Sequence, residues 1–130
     1  MSQPLEKILY IEDEPDIQAV ARLALEQLGG FVVELCCSGQ EALERFPQFK
    51  PDMVLLDVMM PGMDGPTTLR ALRELPGGRQ TPVVFMTAKV QPQEIAQYKQ
   101  LGAIDVIPKP FDPMALAERV RAIWDGRDDT

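Results

Sequence analysis

A short apolar run that ends in a single carboxylate places the strongest constraint on the fold of this chain. Residues 54–56 are Val, Leu and Leu, Asp57 follows them directly, and a loop rich in Pro and Gly covers residues 61–65. Such an unbroken apolar run is typical of a strand buried on both faces, as in parallel sheets covered by helices. Ligands bind at the carboxyl ends of such strands. The pattern therefore predicts that Asp57 lies at the ligand-binding edge of a parallel sheet.

Four other apolar runs have the same character, and helical patterns separate all five. The five predicted strands cover residues 7–11, 31–37, 52–57, 82–87 and 104–108. The first helix is expected to run from Pro15 to the glycines at 29–30, the second from Ser38 to the prolines Pro47 and Pro51, and the third from Pro66 to the glycines at 77–78. The fourth is expected to end at Gly102, and the fifth to begin at Asp112. Strands that alternate with helices predict an α/β fold. Right-handed crossovers then favour a doubly wound, five-stranded parallel sheet in the order 2-1-3-4-5, with five helices.

The first helical pattern also predicts which side chains enter the core. The apolar residues at helical spacing, which we expect to face the sheet, are Ile17, Val20, Ala21, Leu23, Ala24 and Leu28.

Composition excludes several kinds of site. The 20 acidic residues outnumber the 13 basic ones, which gives a net charge of −7 and argues against direct nucleic-acid binding. The chain has no histidine. This excludes Ser-His-Asp and Cys-His catalysis, most zinc sites and a phosphohistidine carrier. The excess of carboxylates is compatible with a site for a divalent cation.

Other sequence features bear on compartment and domain organisation. The 130 residues are expected to form one domain, with a core of about 6–125 and a polar tail at 126–130. Cys36 and Cys37 are adjacent, so they should point to opposite faces of a strand and remain unbonded, which fits a reducing compartment. No run has the length of a membrane span, and the N-terminus lacks a signal-peptide pattern. These features predict a cytoplasmic protein.

The predicted topology brings polar residues from four strand ends to one edge of the sheet: Glu12, Asp13, Asp57, Thr87 and Lys109. Three converging carboxylates repel one another, and all-oxygen ligation suits Mg²⁺. A lysine and a hydroxyl donor can bind phosphate oxygens. A carboxylate nucleophile in this setting indicates phosphoryl transfer through an aspartyl phosphate.

Each of these residues also has an ordinary structural interpretation. Asp57 could cap a turn, Thr87 could simply end a strand, and Lys109 could be a surface charge. The acids at 12–14 could be a solvated first helical turn stabilised by the helix dipole. The joint placement at one edge is what favours a functional site.

Together these motifs resemble the receiver domains of response regulators in two-component signalling, in the CheY-like, flavodoxin-like arrangement. The resemblance runs from Lys7 to about Trp124. The motifs that carry it are Glu12-Asp13-Glu14, Leu56-Asp57, Met60-Pro61-Gly62-Met63-Asp64-Gly65, Met86-Thr87-Ala88 and Pro108-Lys109-Pro110-Phe111.

The resemblance implies a Mg²⁺ site. Asp13 and Asp57 would be direct ligands, and Glu12 would act through a metal-bound water. The backbone carbonyl of Met59 would be the remaining protein ligand.

It also implies that Asp57 is the phosphoacceptor. Thr87 would hydrogen-bond the phosphoryl group, Lys109 would form an ion pair with it, and the Lys109–Pro110 peptide would be cis.

The implied partners follow from the same resemblance. A sensor histidine kinase or a phosphotransfer protein would donate the phosphoryl group. Output would pass to a downstream effector protein or to an output domain on a removed segment, with no direct nucleic-acid or membrane contact. Such a chain is a signalling domain and not an enzyme, apart from catalysing its own phosphorylation and dephosphorylation.

The chain departs from the receiver pattern at Val106, where receivers usually carry Tyr or Phe three residues before the lysine. An aromatic rotamer change at this position therefore cannot report phosphorylation. Met59 and Lys89 lie two residues after Asp57 and Thr87, and we hypothesise that they help set the lifetime of the phosphate.

The sequence argues against three alternative functions. A pseudo-receiver would bind partners without taking phosphate, and the intact set of Asp57, Thr87 and Lys109 argues against it. A haloacid-dehalogenase-type phosphatase needs an Asp-x-Asp motif after its first strand, which residues 12–14 do not supply. Nucleotide-binding folds are disfavoured because neither a Gly-x-Gly-x-x-Gly nor a Gly-Lys-Ser/Thr loop occurs.

Overall fold

Strands and helices alternate along residues 3–127, which are the residues that the computed structural model describes. The strands are β1 (Lys7–Ile11), β2 (Val32–Cys36), β3 (Met53–Asp57), β4 (Val83–Thr87) and β5 (Asp105–Pro108). The helices are α1 (Pro15–Leu23), α2 (Gly39–Phe49), α3 (Gly65–Leu72), α4 (Pro92–Leu101) and α5 (Leu116–Gly126), and a π-helical turn over Ala24–Leu28 continues α1. All strand pairs are parallel, in the order β2-β1-β3-β4-β5. This confirms the predicted fold class and strand order.

The strand register aligns the carboxyl ends of four strands along one edge of the sheet. Tyr10 of β1 is the partner of Leu55 of β3, and Asp57 at the end of β3 is the partner of Met86 of β4. Hydrogen bonds continue beyond the strands: the N–H of Val58 donates to the carbonyl of Met86 at 3.1 Å. The carboxyl ends of the neighbouring strands therefore form one continuous edge.

Apolar side chains cover both faces of the sheet. One cluster contains Tyr10 and Leu55 and packs against α1 and α5, and the other contains Leu56 and Phe85 and packs against α2, α3 and α4. Every residue of β3 is buried, which confirms that both faces of this strand are covered. No helix within residues 3–127 is long and apolar enough to cross a membrane.

The adjacent cysteines differ in exposure as predicted, although Cys36 is the last residue of β2 and Cys37 follows the strand. Cys36 is buried and Cys37 is exposed, and both are free thiols. Strand alternation explains the difference because consecutive side chains point to opposite faces.

The predicted core face of α1 is partly wrong. Val20, Leu23 and Leu28 are 44%, 63% and 52% exposed, whereas Leu25 is completely buried. Regular α-helical spacing accounts for Val20 and Leu23, which lie off the stripe formed by the buried Ala21 and Ala24, whereas the wider π-helical turn over Ala24–Leu28 moves Leu28 out of that stripe. Three predicted core residues are therefore surface residues.

Three predicted helix boundaries are also wrong. α3 ends at Leu72 and not at the glycines at 77–78, because tight turns, in which the N–H of Leu75 donates to the carbonyl of Leu72, replace the helix before them.

Pro47 lies inside α2, which continues to Phe49 and is capped by Lys50, where the backbone takes a left-handed conformation and the N–H donates to the carbonyl of Phe46. The buried side chain of Phe46 stabilises this last turn against the loss of the proline N–H. At the other end of the chain, Asp112 accepts a hydrogen bond from the N–H of Met114 in a turn, and α5 begins four residues later.

The last helix continues into the predicted tail. α5 includes Gly126, and residues 128–130 of the predicted polar tail lie outside the described residues.

The loop after Asp57 returns close to β3 because residue 65 is glycine. The N–H of Gly65 donates to the carbonyl of Val58 at 3.0 Å, and Asp64 caps α3 by accepting from the N–H of Thr67. A Cβ atom on Gly65 would lie 2.8 Å from both the carbonyl oxygen of Asp57 and the Cα of Val58. Only glycine fits at this distance, so Gly65 helps hold the backbone of Asp57 in place.

We predict that Gly65→Ala lowers the free energy of unfolding by about 1–3 kcal/mol, because the added methyl group overlaps the backbone of β3. Urea unfolding followed by circular dichroism would measure the change. Gly126→Ala is the matched control, since a Cβ there meets nothing within 4 Å and should leave the stability unchanged or slightly higher. Equal midpoints for the wild type and Gly65→Ala would contradict the prediction.

Candidate functional site

Three carboxylates converge at the carboxyl edge of the sheet. One oxygen from each of Glu12, Asp13 and Asp57 lies within 4.8 Å of the others. Glu12 is completely buried and Asp57 is 3% exposed, whereas Asp13 is half-buried. The donor set consists of carboxylate oxygens only, which fits a hard divalent cation such as Mg²⁺. These residues could hold such an ion with part of its coordination left to water or to a ligand.

The ammonium group of Lys109, the residue that follows β5, lies beside the carboxylates. The Nζ of Lys109 lies 2.8 Å from Oε1 of Glu12 and 3.4 Å from Oδ1 of Asp57. Its side chain is 16% exposed, so this charge is mostly removed from solvent. The one positive charge does not balance three carboxylates, and the site keeps an excess of negative charge when all are ionised.

Burial changes the acid–base properties of this cluster. It raises the pKa of Glu12 to about 7, an increase that the hydrogen bond from Lys109 reduces and the charge of Asp57 enlarges. Burial of the Lys109 ammonium opposes its charge, but its hydrogen bond to Glu12 and the two nearby carboxylates outweigh burial and raise the pKa of Lys109. The lysine therefore remains protonated beside the carboxylates.

Backbone groups fix the orientation of the two buried acids. The N–H of Glu12 donates to the carbonyl of Cys36 at 3.0 Å, so this residue continues the sheet hydrogen bonding beyond β1. Its Oε2 accepts from the N–H of Glu14 at 3.3 Å, and the side-chain amide of Gln18 donates to its backbone carbonyl. Oδ1 of Asp57 accepts a long hydrogen bond of 3.4 Å from the N–H of Met59.

The structure thus brings together Glu12, Asp13, Asp57 and Lys109, as the sequence predicted. Met59 contacts Asp57 through its N–H, and the role of its carbonyl as a ligand stays a prediction. The Lys109–Pro110 peptide is cis, which confirms the expectation drawn from the resemblance.

Thr87 reaches the same edge but does not join the cluster by a hydrogen bond. It is buried at the end of β4, and its hydroxyl accepts from the N–H of Lys89 at 3.1 Å. Within residues 3–127, no hydrogen bond links this hydroxyl to Asp57 or Lys109. Its contact with a phosphoryl group stays a prediction.

Val106 is buried in the apolar cluster beside β4. An aromatic pair lies in the same cluster: the rings of Phe85 and Tyr98 meet edge to face, with their centroids 5.4 Å apart. The aromatic groups of this pair therefore come from β4 and α4, and β5 contributes Val106 beside them.

Sequence reasoning gave no functional weight to Tyr10, which it treated as part of an apolar run. Its side chain is completely buried, and its hydroxyl has no hydrogen-bond partner among the described residues. The available signal was a hydroxyl-bearing residue in an otherwise aliphatic strand, two positions before Glu12.

Comparisons with known proteins agree with this geometry. The family model described as response regulator receiver domain matches residues 8–121. Among curated relatives, the transcriptional regulatory protein CseB of Streptomyces coelicolor is 36% identical over 116 residues, which cover 89% of this chain and 48% of that protein. The transcriptional regulatory protein CpxR of Escherichia coli is 38% identical over 119 residues, which cover 92% of this chain and 49% of that protein. The chain spans about half the length of the curated relatives it matches.

Solved structures are similar over nearly the whole chain. The chemotaxis protein CheY4 of Vibrio cholerae superposes with a TM-score of 0.84 at 28% identity, covering 92% of this chain and 98% of that one. The signal receiver domain of a signal transduction histidine kinase from Syntrophus aciditrophicus gives a TM-score of 0.79 at 32% identity, covering 96% of this chain and 94% of that one.

The raised pKa of Glu12 predicts a pH dependence of stability. The pKa of Glu12 rises from 4.5 to about 7 on folding, so the folded state binds the proton more tightly than the unfolded state. The resulting stability is fully present below pH 4.5 and is lost as the pH rises through about 7. A shift of this size corresponds to about 2–4 kcal/mol.

Urea unfolding in chelator between pH 4.5 and 8 would measure this loss. We expect Glu12→Gln to lack this component and to be the more stable protein at pH 8. Glu44→Gln, a change at an exposed glutamate, is the control and should follow the wild type. Parallel pH profiles for the wild type and Glu12→Gln would show that the prediction is wrong.

Proposed function

Because this chain belongs to the response regulator receiver domain family of two-component signalling, we propose that it accepts a phosphoryl group on Asp57 in the presence of Mg²⁺. The observation that carries the proposal is the convergence of Asp57 with two further carboxylates and with Lys109, whose Nζ lies 3.4 Å from Oδ1 of Asp57. A nucleophile, a cation site and a fixed positive charge are together what phosphoryl transfer to a carboxylate requires.

In the proposed step, a carboxylate oxygen of Asp57 attacks the phosphorus of a phosphohistidine on a partner protein. The new bond is P–O, the broken bond is P–N, and the electron pair of the broken bond stays with the imidazole. The nucleophile is a carboxylate oxygen without a proton, so the step needs no general base. Lys109 holds its positive charge beside the transferred oxygens, and Thr87 would donate its hydroxyl hydrogen to one of them.

A bound Mg²⁺ ion would neutralise charge on the phosphoryl oxygens during transfer. Asp13 and Asp57 would hold it directly, Glu12 would act through a water ligand, and the carbonyl of Met59 would be a further ligand. The donor set supports this assignment because it offers oxygen ligands and no soft or imidazole ligand.

We propose a sensor histidine kinase or a phosphotransfer protein as the donor, which is consistent with this chain having no histidine of its own. Phosphorylation would shift the conformation and pass the signal, in the cytoplasm, to a downstream effector or to an attached output domain. The longer relatives named as transcriptional regulators support an attached domain, and the similar chemotaxis protein supports a separate effector. The complete set of carboxylates and lysine does not favour a pseudo-receiver.

We predict that acetyl phosphate with Mg²⁺ adds one phosphoryl group to the wild-type protein, which intact-mass spectrometry would detect. Asp57→Asn should abolish the adduct because the nucleophilic carboxylate is gone. Asp125→Asn, at an exposed site at the end of α5, is the control and should be phosphorylated like the wild type. Absence of an adduct in the wild type, with beryllofluoride also failing to bind, would overturn the proposed function in favour of a pseudo-receiver.

We also predict that Met59→Asn shortens the lifetime of the phosphate several-fold. Met59 lies beside Asp57 with a side chain that is 63% exposed, so an amide there can hold a water near the phosphorus where a thioether does not. Dephosphorylation timed by mass spectrometry would measure the rate. Met114→Asn replaces another exposed methionine, away from the site, and should leave the rate unchanged. A dephosphorylation rate that is the same in Met59→Asn as in the wild type would contradict the hypothesis.

A further inference from the structure

The hydroxyl of Tyr10 is a buried polar group with no assigned role in the unphosphorylated site. The residue has no solvent exposure, and its oxygen has no hydrogen-bond partner among residues 3–127. Burying an unpaired hydroxyl is unfavourable, and phenylalanine would fill the same space without that penalty. A tyrosine at this position therefore indicates a state of the protein in which the hydroxyl has a partner.

The strand register places Tyr10 on the same face of the sheet as Glu12 and Asp57. Tyr10 and Glu12 are two residues apart, so their side chains share one face of the sheet. Leu55 is the partner of Tyr10 on β3, and Asp57 lies two residues beyond it on the same face. Burial, then the charge of Glu12 and then that of Asp57 all raise the pKa of Tyr10. The hydroxyl therefore stays protonated and lies in the electrostatic field of both carboxylates, with Glu12 the stronger influence.

Glu12 depends on a donor that the proposed function would redirect. Lys109 donates to Oε1 of Glu12 at 2.8 Å, and its contact with Asp57 is longer, at 3.4 Å. A phosphoryl group on Asp57 adds negative charge beside Lys109 and draws the ammonium toward it. Glu12 is completely buried, so Oε1 would then lose its shortest hydrogen bond, and bulk water cannot replace it even where a metal-bound water contacts the carboxylate.

We propose that Tyr10 is a positioning residue whose hydroxyl donates a hydrogen bond to the Glu12 carboxylate when Lys109 turns toward the phosphoryl group on Asp57. The inference rests on the proposed function, and it adds a residue that the receiver motifs do not include. Tyr10 does not touch the phosphoryl group and transfers no proton. Its hydroxyl keeps Glu12 oriented in the phosphorylated state. The same hydroxyl slightly destabilises the resting protein, where it has no hydrogen-bond partner among residues 3–127.

Tyr10→Phe tests the inference because the change removes only the hydroxyl. The probe is beryllofluoride in the presence of Mg²⁺, titrated at fixed Mg²⁺ and followed by fluorine NMR. We expect the unliganded variant to be at least as thermally stable as the wild type, since an unpaired buried group is lost. We expect its affinity for beryllofluoride to fall about tenfold, the size of a lost hydrogen bond to a charged group.

Tyr98→Phe is the matched control, because Tyr98 is the other tyrosine of the chain, is buried, and lies on α4 against Phe85. It should bind beryllofluoride as the wild type does. Equal binding by Tyr10→Phe and the wild type would overturn the inference and leave Tyr10 as a packing residue.

A second measurement uses the wild-type protein and does not depend on the folding of a variant. Labelling the tyrosine Cζ with carbon-13 gives two signals, one for each tyrosine. We expect the Tyr10 signal to move when beryllofluoride and Mg²⁺ are added, since its hydroxyl gains an acceptor, while the Tyr98 signal stays in place. A Tyr10 signal that does not move would overturn the inference.

The two proposals fail in different ways. If the wild type neither binds beryllofluoride nor takes a phosphoryl group from acetyl phosphate, the proposed function is wrong and this inference falls with it. If the wild type does both and Tyr10→Phe behaves identically, only the inference is wrong.

Discussion

Repulsion among buried carboxylates is the constraint on which the rest of this structure depends. Ligand oxygens of Glu12, Asp13 and Asp57 lie within 4.8 Å of one another, and two of these residues are nearly or completely buried. At that separation a pair of like charges repels by roughly 3–4 kcal/mol for an effective dielectric constant of about 20. Lys109 offsets part of this energy. The stability of the fold must offset the remaining repulsion energy until a cation binds or a carboxylate takes up a proton.

The sheet can offset this energy because it holds the carboxylates at the ends of buried, fully hydrogen-bonded strands. β3 is buried along its whole length, and the hydrogen bonding from β1 continues to Glu12 itself. Gly65 lets α3 begin against the backbone of Asp57, which closes the loop beside the phosphoacceptor candidate. A change in charge at the edge therefore acts on side chains such as Lys109 before it acts on the strands, which is the behaviour that a switch requires.

The sequence predicted those features that depend on strand order. Buried runs ending in polar residues were enough to place Glu12, Asp57 and Lys109 at one edge, because parallel strands end at the same height. The exposure of Leu28 could not be predicted, since the π-helical turn over Ala24–Leu28 changes the periodicity without a recognisable residue pattern, whereas the exposure of Val20 and Leu23 follows from regular α-helical spacing. Nor could the state of Tyr10 be predicted: a hydroxyl in an apolar run does not reveal whether it has a partner, which depends on side chains far away in sequence.

Cation-dependent stability is the most direct test of the idea that a divalent ion relieves the carboxylate repulsion. Urea unfolding of the wild type would be measured at pH 8, where Glu12 is ionised, in chelator and in increasing Mg²⁺ at constant ionic strength. The free energy of unfolding should rise with the logarithm of the Mg²⁺ concentration above the dissociation constant, and Asp13→Asn should lose most of this gain. A wild-type protein whose stability is the same with and without Mg²⁺ would contradict it.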